Sequence, residues 1–501
     1  MSMRHRERAA VRRERAGIRE RYGLHVGGRW IAARDGSRSD SVDPTTEEAT
    51  ASVAVASAAD VDGAVAAGIE AAPRWWACGW QERASRIAAL ADLVAEHAGE
   101  LARIDAVDAG IPVDGMAKDV ANGVNTLRYF AGLAGELKGQ TIEVPGPALN
   151  MTLREPFGVV GRIVPFNHPV QFAASGIAAP LAAGNVVVLK PGETTPISAL
   201  RLAELAEGVL PPGVLNVVTG GREAGAALVD HPAVGRIAFT GSVRSGQAVV
   251  RSAAERLKTV TLELGGKNPL VVFPDADVET AARAAVTAMN FNRGQAQSCG
   301  SPSRMLIHER IRRDFVDAFV AAAEALTVGD PLDPGVAMGP LAFESHYRRV
   351  LGYVDRGVSE GARLVTGGPG RPTGLSRGYF VAPTVFDDVT PDMIIAREEI
   401  FGPVVAVLGW TDEDEALRIA NELPLGLTAN LWTNDLGRAV SFGKQVQAGY
   451  VWVNGAGERP LGAPFGGYKL SGLGSENSLD ELLSFTRTKN LSLRAAPGGA
   501  A

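Results

Sequence analysis

Cys299, one of only two cysteines in the 501-residue chain, stands in the stretch Phe291-Asn292-Arg293-Gly294-Gln295-Ala296-Gln297-Ser298-Cys299-Gly300. A thiol used as a small core hydrophobe sits more often among Val, Leu and Ala on a periodic element. Here its neighbours are small and polar, and Gly294 and Gly300 let the backbone turn sharply and approach a ligand. That setting suits a nucleophile, although a lone cysteine is also compatible with an inert buried thiol. Taken alone, Asn167 reads as a turn former before Pro169 and Glu263 as a solvated residue near a strand end.

The elements that would hold these side chains are clearest between residues 158 and 264. Apolar, β-branched runs at 158–164, 186–189, 214–218, 236–239 and 259–264 alternate with helical patterns, which predicts a parallel sheet covered on both faces. One of those helices is expected to start with Thr195 as N-cap and Pro196 at its first position. Ligands of such sheets bind at the carboxyl ends of the strands. The loops to watch are therefore those at 165–169, 190–193, 219–220 and 240–242. A second αβ alternation follows Gly265, with strands at 270–273, 304–307, 381–385 and 404–408 and helices from Val278, over 315–325 and over 413–421. Upstream, 23–53 reads as short strands and turns and 59–122 as helix. The text at 127–153 then breaks into a two-stranded excursion around Pro145 and Pro147. The tail at 484–491 alternates like a strand pairing outside its own domain. There are no internal repeats, and low complexity is confined to 495–501.

Composition narrows the classes. The chain is 46% hydrophobic and 21% charged with a formal net charge of -6, ordinary for a globular protein and without the basic balance that nucleic acid or an anionic membrane would select. Two cysteines exclude a disulfide framework and fit a reducing, cytoplasmic setting. No apolar run approaches the roughly 20 residues needed to cross a bilayer. Residues 1–22 form an Arg-rich arm with Glu7, Glu14 and Glu20 interspersed, unlike a transit or secretory peptide, and read as solvated and partly helical.

Seven stretches, in order, make the chain resemble the NAD(P)-dependent aldehyde dehydrogenase superfamily, in particular bacterial members acting on aromatic or terpenoid aldehydes. They are Pro165-Phe166-Asn167, Lys190-Pro191-Gly192-Glu193, Phe239-Thr240-Gly241-Ser242, Leu262-Glu263-Leu264-Gly265-Gly266-Lys267, Gln297-Ser298-Cys299, Glu398-Glu399-Ile400-Phe401-Gly402-Pro403 and Pro464-Phe465-Gly466-Gly467. The resemblance covers about residues 23–490. It implies an α/β protein of the aldehyde-dehydrogenase-like fold, with two Rossmann-like α/β domains and a small β oligomerisation flap. The implied domains are an NAD-binding domain at 23–126 and 155–261, oligomerisation strands at 127–154 and 484–494, and a catalytic domain at 262–483. A homodimer or homotetramer is expected from edge pairing.

The resemblance also assigns roles. Cys299, with its pKa lowered, would attack the aldehyde; Asn167 and the Cys299 backbone N–H would hold the oxyanion; Glu263 would activate the water that hydrolyses the thioester. Lys190 and Glu193 would meet the adenosine ribose. Gly241-Ser242, followed by Gly246 opening a helix, would meet the pyrophosphate. Glu399 would hold the nicotinamide ribose, with Phe401 and Phe166 nearby. The carboxylate of Glu193 would repel a 2′-phosphate, so NAD is expected over NADP. No G-x-G-x-x-G turn is present, Lys267 lacks the surroundings of a Walker lysine, and no metal site is expected.

The implied substrate pocket includes His168, Arg293, Ser298, Arg459 and Phe465. Small residues at Gly455 and Gly457 favour an aromatic or other bulky apolar aldehyde, with Arg459 at the rim. The alternatives are a semialdehyde whose carboxylate pairs with Arg459 and Arg293, a CoA-acylating enzyme, which Glu263 disfavours, and a non-catalytic structural relative, which the intact Cys299, Glu263 and Asn167 disfavour. Two departures from the family pattern touch rate rather than reaction type: Ala296 where relatives more often have glycine, and Ser475-Glu476-Asn477 after Gly474.

Overall fold

The structure, a computed structural model, describes residues 3–146 and 148–494, with side chains from residue 10 onward. Pro147 and the low-complexity stretch at 495–501 lie outside the described residues. The apolar runs around 158–264 form the centre of an eight-stranded sheet. Its five inner strands are parallel, in the spatial order Thr259–Glu263, Val234–Thr240, Val159–Ile163, Val186–Lys190, Leu215–Val217. Antiparallel strands flank them: Gly472–Leu473 on one side, Leu24–Val26 and Arg29–Ile31 on the other. The strands Val159–Ile163 and Val186–Lys190 are buried throughout, because helices cover both faces and leave no residue facing water. The strand Gly472–Leu473 comes from the stretch expected to form a catalytic domain, so a segment about 200 residues further along the chain completes this sheet.

A seven-stranded sheet follows in the second half. Its order is Arg363–Thr366, Thr384–Asp387, Val404–Trp410, Arg304–His308, Pro269–Val272, Thr428–Trp432, Tyr450–Val453, all parallel except the first. The strand expected at 381–385 lies three residues later, since Pro383 cannot donate to the ladder and the pairing with Val404 begins at Thr384.

Three other expectations need correction. The helical region does not end at 122: the helix Val113–Leu133 runs on, and the two-stranded excursion is Thr141–Ile142 paired with Ala148–Pro156. The tail strand Thr486–Arg494 pairs along the whole of Ala148–Pro156, which is the pairing away from its own domain that its sequence suggested. The N-terminal arm is not simply solvated. Its helix Met3–Ala16 ends with Ala16 fully buried, and Arg12 Nε donates to Asp43 Oδ2 at 2.5 Å while its guanidinium also pairs with Asp330.

Thr195 does not cap a helix. The helix is Ile197–Ala206, Pro196 precedes it, and the Thr195 hydroxyl donates to the Phe166 carbonyl at 3.1 Å.

Candidate active site

In the eight-stranded sheet the chain leaves Val159–Ile163 to one side and Val234–Thr240 to the other, and the loops after these adjacent strands open a crevice at their carboxyl ends. A cleft of about 410 Å³ occupies it, lined from the first loop by Phe166 and Asn167, from the second by Thr240, Gly241 and Ser242, and from the next strand end by Glu263, Leu264 and Gly265. The second half of the chain closes the cleft with Cys299, Phe343, His346, Arg349, Glu399 and Phe401. Cys299 and Glu399 precede neighbouring strands, Arg304–His308 and Val404–Trp410, so one strand pair carries both toward the first sheet. The three reacting types singled out in the sequence, thiol, amide and carboxylate, thus share one cavity.

The Cys299 loop is pinned at several points. Asn268 Nδ2 donates to the carbonyls of Cys299 (2.6 Å) and Ser301 (3.1 Å), and its Oδ1 accepts from Thr428 N–H at 3.1 Å. Gln297 Nε2 donates to the Gly294 carbonyl and its Oε1 accepts from Ala342 N–H. Gln295 and Ala296 both lie in the left-handed region, at φ 50° and 57°. A side chain there strains the backbone by roughly 1–2 kcal/mol per residue, a strain that glycine at the second position would avoid. Ala296 nevertheless packs its methyl group in the core.

Asn167 is buried at the end of its loop. One N–H of its amide donates to the Gln297 carbonyl at 2.8 Å, tying it to the nucleophile loop and leaving the second N–H for another acceptor. Glu263 ends its strand, as expected, and both of its oxygens are buried without a hydrogen-bond partner. Burial pushes its pKa well above the usual carboxylate range, Glu476 adds to that, and Arg162 and Arg459 oppose it. Arg162 itself is held by Glu476 at 2.7 Å. For Cys299 the structure reverses the expected lowering. Burial pushes its thiol up to about 11, Arg459 opposes, and Glu399 and Glu263 reinforce the rise.

On the side expected to take a cofactor, the helix Val243–Ala254 starts immediately after Ser242, whose hydroxyl accepts from Ser245 N–H. Gly246 therefore lies within the helix and does not open it. A Cβ there would come within 2.6 Å of Leu264, so its part is close packing of helix on sheet. Glu399 accepts from Gly266 N–H at 3.1 Å, and burial raises its pKa to about 7. A Cβ on Gly265 would come within 1.9 Å of the Glu399 carboxylate, so a side chain there would push that carboxylate from its place. Phe166, Phe343 and Phe401 form an edge-to-face cluster with centroids 5.0 and 5.8 Å apart around Phe166. Lys190 and Glu193 do not line the cleft. Lys190 ends its strand buried, its pKa lowered by burial to about 8, with Nζ donating to the Pro191 carbonyl; Glu193 is exposed against Gly221.

The expected substrate-pocket residues do not line this cleft either. His168 Nδ1 meets Asp119 Oδ2 at 2.6 Å, Arg293 Nε donates to Asp119 Oδ1 at 2.5 Å, and Arg293 Nη2 donates to Gln171 Oε1 at 2.7 Å. Both side chains are therefore engaged. The Arg459 guanidinium lies over the Phe465 ring at 4.3 Å. Phe465 and Ser298 are buried. Sequence reasoning missed Asp119, Asn268, Phe343 and His346. No local motif marks them, since each acts on a residue far away in the chain. Among the described residues no group of three or more His, Cys, Asp or Glu could hold a metal ion, both cysteines are free, and no helix is long and apolar enough to cross a membrane.

Comparison with known proteins agrees over nearly the whole chain. The profile of the aldehyde dehydrogenase family matches residues 30–491. The chain is 42% identical over 489 residues to aldehyde dehydrogenase tropH of Talaromyces stipitatus, covering 96% of this chain and 94% of that protein. It is 43% identical over 482 residues to hydroxyisobutyraldehyde dehydrogenase of Mycolicibacterium austroafricanum, covering 95% and 94%. The NAD+ complex of an aldehyde dehydrogenase from Bacillus cereus superposes with a TM-score of 0.92 at 39% identity, covering 95% of this chain and 97% of that one.

Proposed function

This chain belongs to the aldehyde dehydrogenase family, and we propose that it oxidises an aromatic or other bulky apolar aldehyde to the acid with NAD, through a thiohemiacetal and a thioester on Cys299. The observation that carries the mechanism is the meeting of Cys299, Asn167 and the unpartnered, buried Glu263 in one cleft. The residues present fit a dinucleotide. The helix after Ser242 offers first-turn N–H groups to a pyrophosphate, and Glu399 lies in the cleft with a raised pKa and a single donor on one oxygen. A bound nicotinamide would supply the hydride acceptor.

The protein's own part follows from its side chains. The Cys299 thiol must lose its proton to attack. That proton leaves to solvent, and Glu263, the carboxylate in the same cleft whose basicity burial raises, is kept for the hydrolytic step. Sγ then bonds to the aldehyde carbon, and the free N–H of Asn167 meets the oxygen as it gains charge. After hydride departs, Glu263 takes a proton from water as the water oxygen bonds to the acyl carbon, and the C–S bond breaks to return the thiolate. Lys190 and Glu193, at the end of the adjacent strand, would meet the adenosine ribose, with Glu193 excluding a 2′-phosphate.

The substrate reading rests on the engagement of Arg293 with Asp119 and Gln171, which removes one of the two guanidinium groups that a substrate carboxylate would need. NADH formation from a panel of aromatic, aliphatic and semialdehyde substrates, with NAD or NADP and with or without CoA, tests it. Turnover of aromatic aldehydes with NAD and none in Cys299→Ala is expected. Preference for semialdehydes would overturn the substrate reading, preference for NADP the Glu193 argument, and activity in Cys299→Ala the mechanism.

A further inference from the structure

We propose that Asp105 and Asp108, one turn apart on the helix Ala98–Ala109, are positioning residues that cap from a distance the two helices on which the oxyanion loop and the ribose loop are hung; the assignment rests on the function proposed above. The helix Pro169–Ala182 follows the loop carrying Asn167, and the helix Ile197–Ala206 follows the loop carrying Lys190 and Glu193. Neither has a cap of its own, because the residues before them, His168 and Pro196, make no side-chain hydrogen bond to the first turn. The missing acceptors come from elsewhere. Val170 N–H donates to Asp105 Oδ2 at 2.9 Å, and Ile197 N–H donates to Asp108 Oδ2 at 3.1 Å.

Spacing explains how one helix serves both. Residues three apart share a face, so Asp105 and Asp108 point the same way and reach two helix starts side by side. Both are fully buried. The second oxygen of Asp108 accepts the Ser41 hydroxyl, whereas the second oxygen of Asp105 has no partner. Burial raises the Asp108 carboxyl to about 7 and Asp105 well above its ordinary value. A local Ser or Thr cap would satisfy the same N–H groups without burying a carboxylate. The remote cap adds a common reference: both loops end on helices fixed to the same third helix, and the Thr195–Phe166 hydrogen bond then joins the loops directly. Asn167 is thereby held relative to Cys299, and Lys190 relative to the cleft.

The two arms predict a split. In the full enzyme, Asp108→Ala should raise the NAD Kd, by calorimetry, and the KM for NAD about tenfold, with kcat at saturating NAD within about twofold. Asp105→Ala should lower kcat about tenfold with the NAD Kd within about twofold. The Asn variants, which keep a side-chain oxygen for the N–H, should restore most of each loss. If an Ala variant does not fold, the corresponding Glu variant, which displaces the acceptor by one methylene, must show the same split. Equal changes of kcat and Kd in both positions, or failure of Asn to restore either, would overturn the assignment. Wild-type protein that binds NAD but turns over no aldehyde would instead sink the proposed function and the Asp105 arm with it, while the NAD titration still decides Asp108.

Discussion

The Cys299 thiol is protonated at neutral pH, because burial and two nearby carboxylates outweigh Arg459. Only the thiolate alkylates, and its fraction grows about tenfold per pH unit below a pKa of about 11. Modification of Cys299 by iodoacetamide in the cofactor-free protein should therefore climb steadily from pH 7 to pH 10, followed by mass spectrometry of its own peptide because Cys78 is exposed. A plateau near pH 7 would show that the thiol is not raised. Glu263 gives the second test at this scale. Its raised pKa means that the basic form appears only as pH rises through that value, so steady turnover should increase with pH in the wild type. In Glu263→Gln a first burst of NADH should survive while steady turnover falls about 100-fold or more and loses that pH dependence. Equal loss of burst and steady phases would mean that Glu263 acts before hydrolysis. Removing the oxyanion donor in Asn167→Ala should lower kcat on the order of 100-fold.

At the scale of elements, side chains from distant helices hold the site's loops. Asp119, on the helix Val113–Leu133, grips His168 of the oxyanion loop and Arg293 of the nucleophile loop together. It is fully buried, so removing it leaves Arg293 without its carboxylate. Asp119→Ala should destabilise the fold by about 3 kcal/mol and lower kcat, read from the thermal midpoint and from turnover at saturating substrate. An unchanged midpoint would show that the pair adds nothing to the fold. The same logic explains the misplaced helix start. Thr195 was expected as a cap from its type and its place before Pro196, but its hydroxyl serves Phe166, and the cap is Asp108, 89 residues upstream.

At the scale of the whole molecule, the tail strand and its partner leave an apolar face. Leu149, Leu153, Leu491 and Leu493 are each about two-fifths exposed on the paired strands Ala148–Pro156 and Thr486–Arg494. A second copy of the chain covering that face would bury them, the arrangement expected of an oligomerisation flap. Wild type is expected to run as an oligomer by light scattering, and the variant with Leu491 and Leu493 both replaced by Lys as a smaller species. An unchanged mass would place the interface elsewhere. Three hydrophobic cores divide near residue 264, one with the first sheet and two with the second, so the cleft lies where the two sheets' territories meet.

The sequence by itself determined the strand and helix alternation from 158 onward and the pairing of the tail away from its own domain, and it marked Cys299, Asn167 and Glu263 as candidates that the structure brings into one cleft. Periodicity and short motifs record those, since apolar burial and the chemistry of a reacting group depend on residue type within a few positions. Tertiary structure decided what depends on who is nearby. Burial beside Glu263 and Glu399 turned the expected low thiol pKa into a high one, and Asp119 turned His168 and Arg293 from open pocket residues into engaged ones. Asp105 and Asp108 became caps for helices they are remote from in the chain. Each of these is an interaction between side chains far apart in sequence, and neither hydrogen-bond geometry nor desolvation leaves a local pattern to read.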